Sequence, residues 1–399
     1  MPSEKYREDA NLIPGDVRFQ HVALSVAGQV ATGLPDLLTW PGAALGKEPE
    51  EIADLNGIPL FFDYPVQKGQ ERIGTVRASA SKITGPVVVS LILGPPGWDK
   101  DVNFRKAAAI VKKQNPGSKI TGPKLVCYSY PKLGFLFEVQ TGQGAPRRIV
   151  LDGPSLDIVP EWIPDDSREG IFAWSFYDSL NDDERKTRLR RFNQIDKARL
   201  DYSPAVLKKL QTVRNIGLII DAADIAIIKP VTKTLQFCNH YATTESRGHH
   251  CFGLQGQQKS DYCAVATCQM ILCYYRYYYS QDTIAPALSY APGGCPADQS
   301  PGYQTLSNNH LQATYDTAPT WQKARDQIDA LHPLKTGIPG HARACAGYYK
   351  SVFAFNSPQL YVYDPSPWNL NYKLAGSIAW ENWDLVTHTN FIYTHIKMT

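Results

Sequence analysis

The chain has 399 residues, 43% of them hydrophobic and 20% charged, and its 41 basic and 38 acidic residues leave a formal net charge of +3. This composition is ordinary for a globular protein with a sizeable core, and the length predicts two or three domains. The nearly balanced charge gives no reason to expect a nucleic acid or an anionic membrane surface as a partner.

The sequence shows neither a signal peptide nor a membrane-spanning segment. The first residues are charged and lack the apolar core of a secretory signal peptide. No apolar run is long enough to cross a bilayer. We therefore expect a cytoplasmic protein with no membrane partner, although a removed leader or non-classical export is compatible with the same sequence.

Seven of the eight cysteines lie after residue 237. A domain of this size does not need disulfide bonds to fold, and an export signal is not apparent, so we expect most of the thiols to be reduced. The uneven distribution indicates that the C-terminal part of the chain is a separate unit.

The first 160 residues divide into two parts. Residues 1–50 form an N-terminal segment rich in proline, glycine and charge, and residues 48–54 resemble the start of a short helix. Residues 51–160 combine one amphipathic helix, over residues 100–115, with several strand-like runs. These runs are 59–66, 74–80, 85–93, 125–130, 134–140 and 147–152. The order predicts a small α+β domain with its helix packed on an antiparallel sheet.

A helical connector is expected over residues 161–236. Residues 180–200 carry acidic side chains near the start and an arginine cluster later, the arrangement that a helix dipole favours. A second helical pattern covers residues 203–215. The arginines could bind a polyanion, but a solvated helix face is the favoured interpretation of an isolated cluster.

The stretch 254–272 is the best candidate for the chemistry. A polar loop enters an apolar helix there, and Cys263 lies at the junction. A thiol at a helix N-terminus faces unpaired N–H groups and the positive end of the dipole, which both favour the thiolate. Gln257, six residues earlier, could donate a hydrogen bond to an oxyanion. Gln255 and Gln258 are the alternatives, and only the spacing favours Gln257.

A cysteine nucleophile needs a base and a group that orients the base. His341 stands at the entry to a strand of small residues and is the best candidate for the base. Asp364 ends an alternating strand and is the candidate for the orienting group, although an aspartate before Pro365 could instead cap a turn. The sequence thus predicts a Cys263–His341–Asp364 triad within one domain.

Residues 237–399 resemble the C39-like branch of the papain-like cysteine peptidases. The resemblance rests on Gln257 with Cys263, the helix that begins at Cys263, Gly340-His341 before Gly347-Tyr348, and Val362-Tyr-Asp-Pro365. It implies an α+β papain-like fold with a central helix on an antiparallel sheet, and hydrolysis of a peptide or protein substrate by that triad. Gln257 would complete the oxyanion hole, and no cofactor is implied. Many members have Asp-Cys-Gly where this chain has Tyr262-Cys263-Ala264, a departure that concerns substrate preference more than catalysis.

Residues 54–160 resemble, more weakly, the propeptide-type or PepSY-like domains that precede some papain-like enzymes. The similar segments are Asp54-Leu-Asn-Gly-Ile-Pro-Leu-Phe-Phe, Ile73-Gly-Thr-Val and Tyr130-Pro-Lys-Leu-Gly134. Such domains are inhibitory or chaperone-like, so we expect this one to contact the catalytic domain in cis and to regulate it. The long connector is where self-processing would fall.

Three other functions fit parts of the sequence. An acyltransferase or amidase would use the same triad on another amide, and a non-catalytic binding module would keep the fold alone. A tetrahedral zinc site is the third, with Cys238, His240, His249 and Cys251 as ligands. Their spacings are not those of standard zinc motifs, so a loop with chance histidines is favoured and no metal is predicted.

Overall fold

A computed structural model describes residues 11–31, 37–142, 144–161, 168–212, 231–234, 252–350, 358–370 and 374–397. The helices are α1 Gly15–Ala31, α2 Lys100–Gln114, α3 Phe176–Ser179, α4 Asp182–Leu200, α5 Pro204–Thr212, α6 Cys263–Tyr274, α7 Gln281–Ala287, α8 Ser300–Leu306 and α9 Trp321–Asp329. Within these ranges no helix combines the length and the apolar character needed to span a membrane.

The strands follow the same chain order. They are β1 Ala44–Leu45, β2 Glu50–Ala53, β3 Pro59–Lys68, β4 Glu71–Ser79, β5 Val88–Leu93, β6 Lys119–Ser129, β7 Lys132–Gln140, β8 Arg147–Asp152, β9 Glu169–Gly170, β10 Val231–Thr234, β11 Gly294–Cys295, β12 Leu311–Asp316, β13 Leu334–Ile338, β14 His341–Lys350, β15 Gln359–Asp364, β16 Ser377–Asn382 and β17 Asn390–Ile396.

Fifteen of these strands form one sheet. Its order is β12-β17-β13-β14-β15-β16-β5-β4-β3-β2-β6-β7-β8, with β1 added beside β3 and β10 beside β14. Its pairings are antiparallel apart from a parallel contact between β2 and β6. The two remaining strands, β9 and β11, pair with each other.

The C-terminal half has a helix packed on this sheet, as predicted. The helix α6 is almost entirely buried and packs against β13 and β14. The N-terminal half places α2 against β6 and β7. Both halves therefore mix helices with antiparallel strands, and the predicted α+β class is confirmed.

Two features of the N-terminal half differ from the sequence prediction. Residues 50–53 form the strand β2 rather than a helix, because pairing with β3 and complete burial of Ile52 override the local helical pattern. The helix α1 was not predicted, because buried polar side chains interrupt its apolar pattern. Their partners are distant in sequence: His21 Nε2 lies 2.9 Å from Asp196 Oδ1, and Gln29 Nε2 donates to Gln359 Oε1 at 2.9 Å.

The described part of the predicted connector is helical only in part. The helices α3, α4 and α5 are present, and α4 begins at a capping box of Asn181 and Glu184. The strands β9 and β10 also lie in this stretch and pair with β11 and β14, which belong to the C-terminal half. The connector thus contributes strands to the predicted peptidase region, while the boundaries at residues 50, 160 and 236 stay predictions.

The pairing of β5 with β16 joins the two halves. Leu91 stands opposite Trp380 in this pair and both are fully buried. They belong to one apolar cluster that also contains Val22 of α1 and Ile271 of α6. Helices from both halves thus pack on a continuous core.

We expect Leu91→Ala to lower the free energy of unfolding by about 2–5 kcal/mol, because it leaves a cavity in that core. Since the core is shared, urea transitions followed by far-UV circular dichroism and by tryptophan fluorescence should move together. Leu370→Ala is the control, because that side chain is 89% exposed. A shift confined to one of the two probes would contradict a shared core.

Candidate active site

Cys263 is the first residue of α6 and is fully buried. Tyr262 precedes it at the N-cap position and makes no side-chain capping bond. No side chain at the cap therefore satisfies the first backbone N–H groups of the helix, next to the thiol. Burial raises the pKa of the Cys263 thiol, while Lys132 and the N–H of Ala342, which donates to the sulfur, act in the opposite direction. The thiol is therefore neutral in this structure, and burial outweighs the effect expected from the helix start.

The predicted base and orienting group meet at the ends of neighbouring strands. His341 begins β14 and Asp364 ends β15, and because these strands are antiparallel the two ends lie side by side. His341 Nε2 is 2.8 Å from Asp364 Oδ1. The same carboxylate oxygen accepts a bond from Ser366 N at 2.8 Å, which holds it in place. Both side chains are buried.

The charges of this pair follow from its surroundings. Burial lowers the pKa of His341 to about 4, with Lys132 and Arg343 acting in the same direction and Asp364 in the opposite one. Burial would raise the pKa of Asp364, but His341, Arg343 and the Ser366 N–H together hold it below its ordinary value. At neutral pH the pair is therefore an ionised carboxylate and a neutral ring.

This charge state assigns the ring tautomer. An ionised carboxylate only accepts, so Nε2 carries the proton and donates to Asp364. Nδ1 is then the basic nitrogen, and it has no hydrogen-bond partner among the described residues. Ala342, the next residue of β14, donates its N–H to the Cys263 sulfur, so the thiol lies against the start of β14, one residue from His341 in the chain.

Gln257 is the buried member of the three glutamines, at 2% exposure, whereas Gln255 and Gln258 are half-buried. Its backbone N–H donates to Pro365 O at 3.0 Å, which ties the loop to the residue after Asp364. Its side-chain Nε2 donates to Ser260 O at 2.7 Å, and one of the two N–H bonds on that nitrogen is left for another acceptor. The four predicted site residues are thus gathered at one place.

Sequence reasoning missed a segment that lies in this site. We call residues 168–174 the strap. Its strand β9 pairs with β11 and contacts α6 and β14. Gly170 N donates to Gly340 O, directly before His341, at 3.2 Å. Lys132 of β7 donates to the oxygens of both Gly170 and Gly340, at 3.3 Å for Gly340. No motif in the sequence marks these contacts, because each joins residues far apart in the chain.

The alternative zinc ligands Cys238, His240, His249 and Cys251 lie outside the described residues. Within the part of the chain that the structure covers, no group of three or more His, Cys, Asp or Glu side chains is arranged to hold a metal ion. Cys263 is not in a disulfide bond.

Comparison with known families agrees with this geometry. Residues 250–387 match the Peptidase_C39 like family. The match supports the resemblance of the C-terminal part of the chain to the C39-like peptidases that its motifs indicated. The match does not reach residues 54–160, whose likeness to PepSY-like domains stays a prediction.

Among solved structures, the chain is similar to the crystal structure of a double glycine motif protease from an AMS/PCAT transporter in complex with its leader peptide. The identity is 14% and the TM-score 0.27, and the alignment covers 42% of this chain and 99% of the other. A search of curated proteins found no match.

The histidine electrostatics predict a pH-dependent stability. The pKa of His341, about 4 in the folded chain, lies below its unfolded value of roughly 6.5, so the unfolded state binds the extra proton between these values. Stability present at pH 7 is therefore lost as the pH falls towards 4. Burial also lowers the pKa of His388, to about 3, and adds to the loss.

We expect His341→Gln to reduce the slope of unfolding free energy against pH, around pH 5, by up to about 1.4 kcal/mol per pH unit. Urea titrations at a series of pH values between 4 and 7 measure this slope. His310→Gln is the control, since that ring is exposed in the folded chain. An unchanged slope in His341→Gln would mean that the ring is charged in the folded protein.

Proposed function

We propose that this protein is a cysteine peptidase in which Cys263 is the nucleophile, His341 the general base and Asp364 the group that orients it. The observation that carries the proposal is the buried His341–Asp364 pair at the start of β14, where the N–H of the next residue, Ala342, donates to the sulfur of Cys263 at the start of α6. Nδ1 of His341 has no hydrogen-bond partner among the described residues, so it is available to accept a proton.

The first step transfers the Cys263 proton to His341 Nδ1, giving a thiolate and an imidazolium that Asp364 stabilises. The thiolate then attacks the peptide carbonyl and forms a tetrahedral oxyanion. The Cys263 N–H and the remaining N–H of Gln257 Nε2 are the donors available to this oxyanion. The imidazolium returns the proton to the leaving amine, and water releases the acyl group from sulfur with His341 again as base.

The N-terminal half keeps this machinery closed in cis. Lys132 reaches over from β7 to the strap and to the residue before His341, and the strap lies against α6. In this closed state burial disfavours both charges of a thiolate–imidazolium pair, since it raises the pKa of Cys263 and lowers that of His341. Opening the strap would admit water and substrate and would remove this penalty. The N-terminal domain is therefore regulatory.

Labelling tests the assignment of the nucleophile. A fluorescent peptidyl acyloxymethyl ketone should label the wild-type protein on Cys263 whenever the strap opens, and should not label Cys263→Ala, because in the proposed mechanism His341 activates this thiol. Cys127→Ala is the matched control, since burial raises the pKa of that thiol to about 12. Label that persists in Cys263→Ala, or that maps to another cysteine in the wild type, would refute the assignment.

The strap can be loosened at Trp174, whose N–H groups anchor it to the N-terminal half. The backbone N donates to Tyr128 O at 2.7 Å and the ring Nε1 to Ser129 Oγ at 2.9 Å. We expect Trp174→Ala to speed alkylation of Cys263 by iodoacetamide by about tenfold or more, because local opening becomes less costly. Mass spectrometry of the Cys263 peptide gives the rate.

Trp321→Ala is the control, because it removes an equal ring from α9. That ring packs on Tyr348 and Trp383 and contacts no ring of the strap among the described aromatic pairs. An equal rise in both variants would attribute the effect to general destabilisation. An unchanged rate in Trp174→Ala would mean that the strap does not restrict access.

A further inference from the structure

The side chain of Glu169, in the strap, fills a closed polar pocket. Lys335 Nζ donates to its Oε1 at 2.5 Å, and Asn390 Nδ2 donates to the same atom at 3.1 Å. Gln299 Nε2 donates to Oε2 at 2.8 Å. All four residues are at most 2% exposed. Each carboxylate oxygen is thus met by donors suited to a negative charge.

The pocket belongs to the peptidase region and is held together without Glu169. Lys335 and Asn390 lie on the neighbouring strands β13 and β17, and Lys335 Nζ donates to Asn390 Oδ1. Gln299 donates to Pro296 O at 2.6 Å, which fixes its side chain just before α8. A Cβ on Gly337 would lie 2.5 Å from Glu169 Oε1, so glycine at this position leaves the space for the carboxylate.

The buried ammonium of Lys335 makes the pocket suitable for a negatively charged group. Lys335 has no exposed surface, and its other described acceptors, Asn390 Oδ1 and Ala297 O, are neutral. A buried ammonium with only neutral acceptors is costly, so the pocket is complementary to a carboxylate. A neutral glutamine could keep some of the hydrogen bonds but would not compensate the charge.

The backbone around Glu169 is held as an added β-strand, the way in which many proteins bind extended peptides. Gly170 pairs with Gly294, and Gly170 N donates to Gly340 O. The approach is so close that a Cβ on Gly170 would lie 1.7 Å from Gly293 O. An extended peptide on the same path must therefore carry a glycine after the residue that enters the pocket.

From these contacts we propose that Lys335, Gln299 and Asn390 form a substrate subsite for an acidic side chain, which Glu169 occupies in cis in the closed chain. The substrates would be peptides in which an acidic residue precedes a glycine. The strap is then a built-in occupant of the substrate groove. This inference rests on the proposed peptidase function, because it assigns the groove beside Cys263 to substrate.

Peptide binding to an inactive full-length chain tests the subsite apart from catalysis. The protein is the Cys263→Ala/Glu169→Ala variant, which cannot turn over and has an emptied pocket. The probes are dye-labelled Arg-Glu-Gly-Ile-Phe, which copies residues 168–172, and the same peptide with Gln in place of Glu. Fluorescence anisotropy should show at least about tenfold tighter binding of the Glu peptide, and Lys335→Met should reduce this difference to less than about threefold.

Two controls complete the experiment. Cys263→Ala alone should bind the Glu peptide at least about tenfold more weakly than the double variant, because Glu169 competes in cis. Cys263→Ala/Glu138→Ala should behave like Cys263→Ala, since Glu138 is exposed on β7. If circular dichroism shows that Glu169→Ala does not fold, Glu169→Gln replaces it, because it keeps the size of the side chain and an acceptor for Lys335.

Different results would overturn the subsite proposal and the peptidase proposal. Equal affinity for the Glu and Gln peptides, a preference that survives Lys335→Met, or no binding of either peptide by the folded variant would overturn the subsite. Loss of the Cys263 label in an otherwise folded chain would overturn the peptidase proposal while leaving the binding measurements interpretable.

Discussion

The antiparallel pairing of β5 with β16 is the contact on which the rest of the structure depends. It makes one sheet from strands that lie far apart in the chain, and the apolar cluster around Leu91 and Trp380 closes over it. Because a sheet is stiff across its hydrogen bonds, this join fixes where the N-terminal strands lie relative to Cys263. Lys132 and the strap can then reach the candidate site with defined partners rather than by loose association.

Closure has an electrostatic consequence. The proposed reaction needs a thiolate and an imidazolium, and water or substrate dipoles must stabilise both charges. In the closed chain burial works against each of them, and the positive charges of Lys132 and Arg343 further oppose protonation of His341. In the proposed function, the same contacts that organise the site would therefore hold it in its neutral, unreactive form. A mechanism of this kind needs no change in the catalytic residues themselves, only a change in what covers them.

The proposals assign the strap two roles, blocking the candidate site and occupying the acidic subsite. Its backbone is paired with β11, and its one buried carboxylate meets the buried ammonium of Lys335. A buried ion pair contributes less to stability than its short distance suggests, because both charges lose their hydration. It does specify position, since a shift of one residue would leave Lys335 without a counter-charge. The pair is thus suited to setting the register of an extended segment in the groove.

The sequence by itself determined the parts whose signals are local. The helix that starts at Cys263, the strands that end near His341 and Asp364, and the spacing of Gln257 are short-range patterns, and periodicity and turn residues are enough to find them. The α+β class follows from the same patterns. Helix α1 and strand β2 were beyond this method, because their burial depends on partners such as Asp196 and β3.

Only the tertiary structure decided how those parts meet. It brought His341 Nε2 to Asp364, left Nδ1 without a hydrogen-bond partner among the described residues, and buried Gln257 more deeply than Gln255 and Gln258. It also revealed the contacts of Lys132 and Glu169, which reach the candidate site from the N-terminal half and the connector. A sequence pattern does not show these contacts, because they join residues that are far apart in the chain. Hydrogen bonding and desolvation depend on distances in space, which only the folded chain sets.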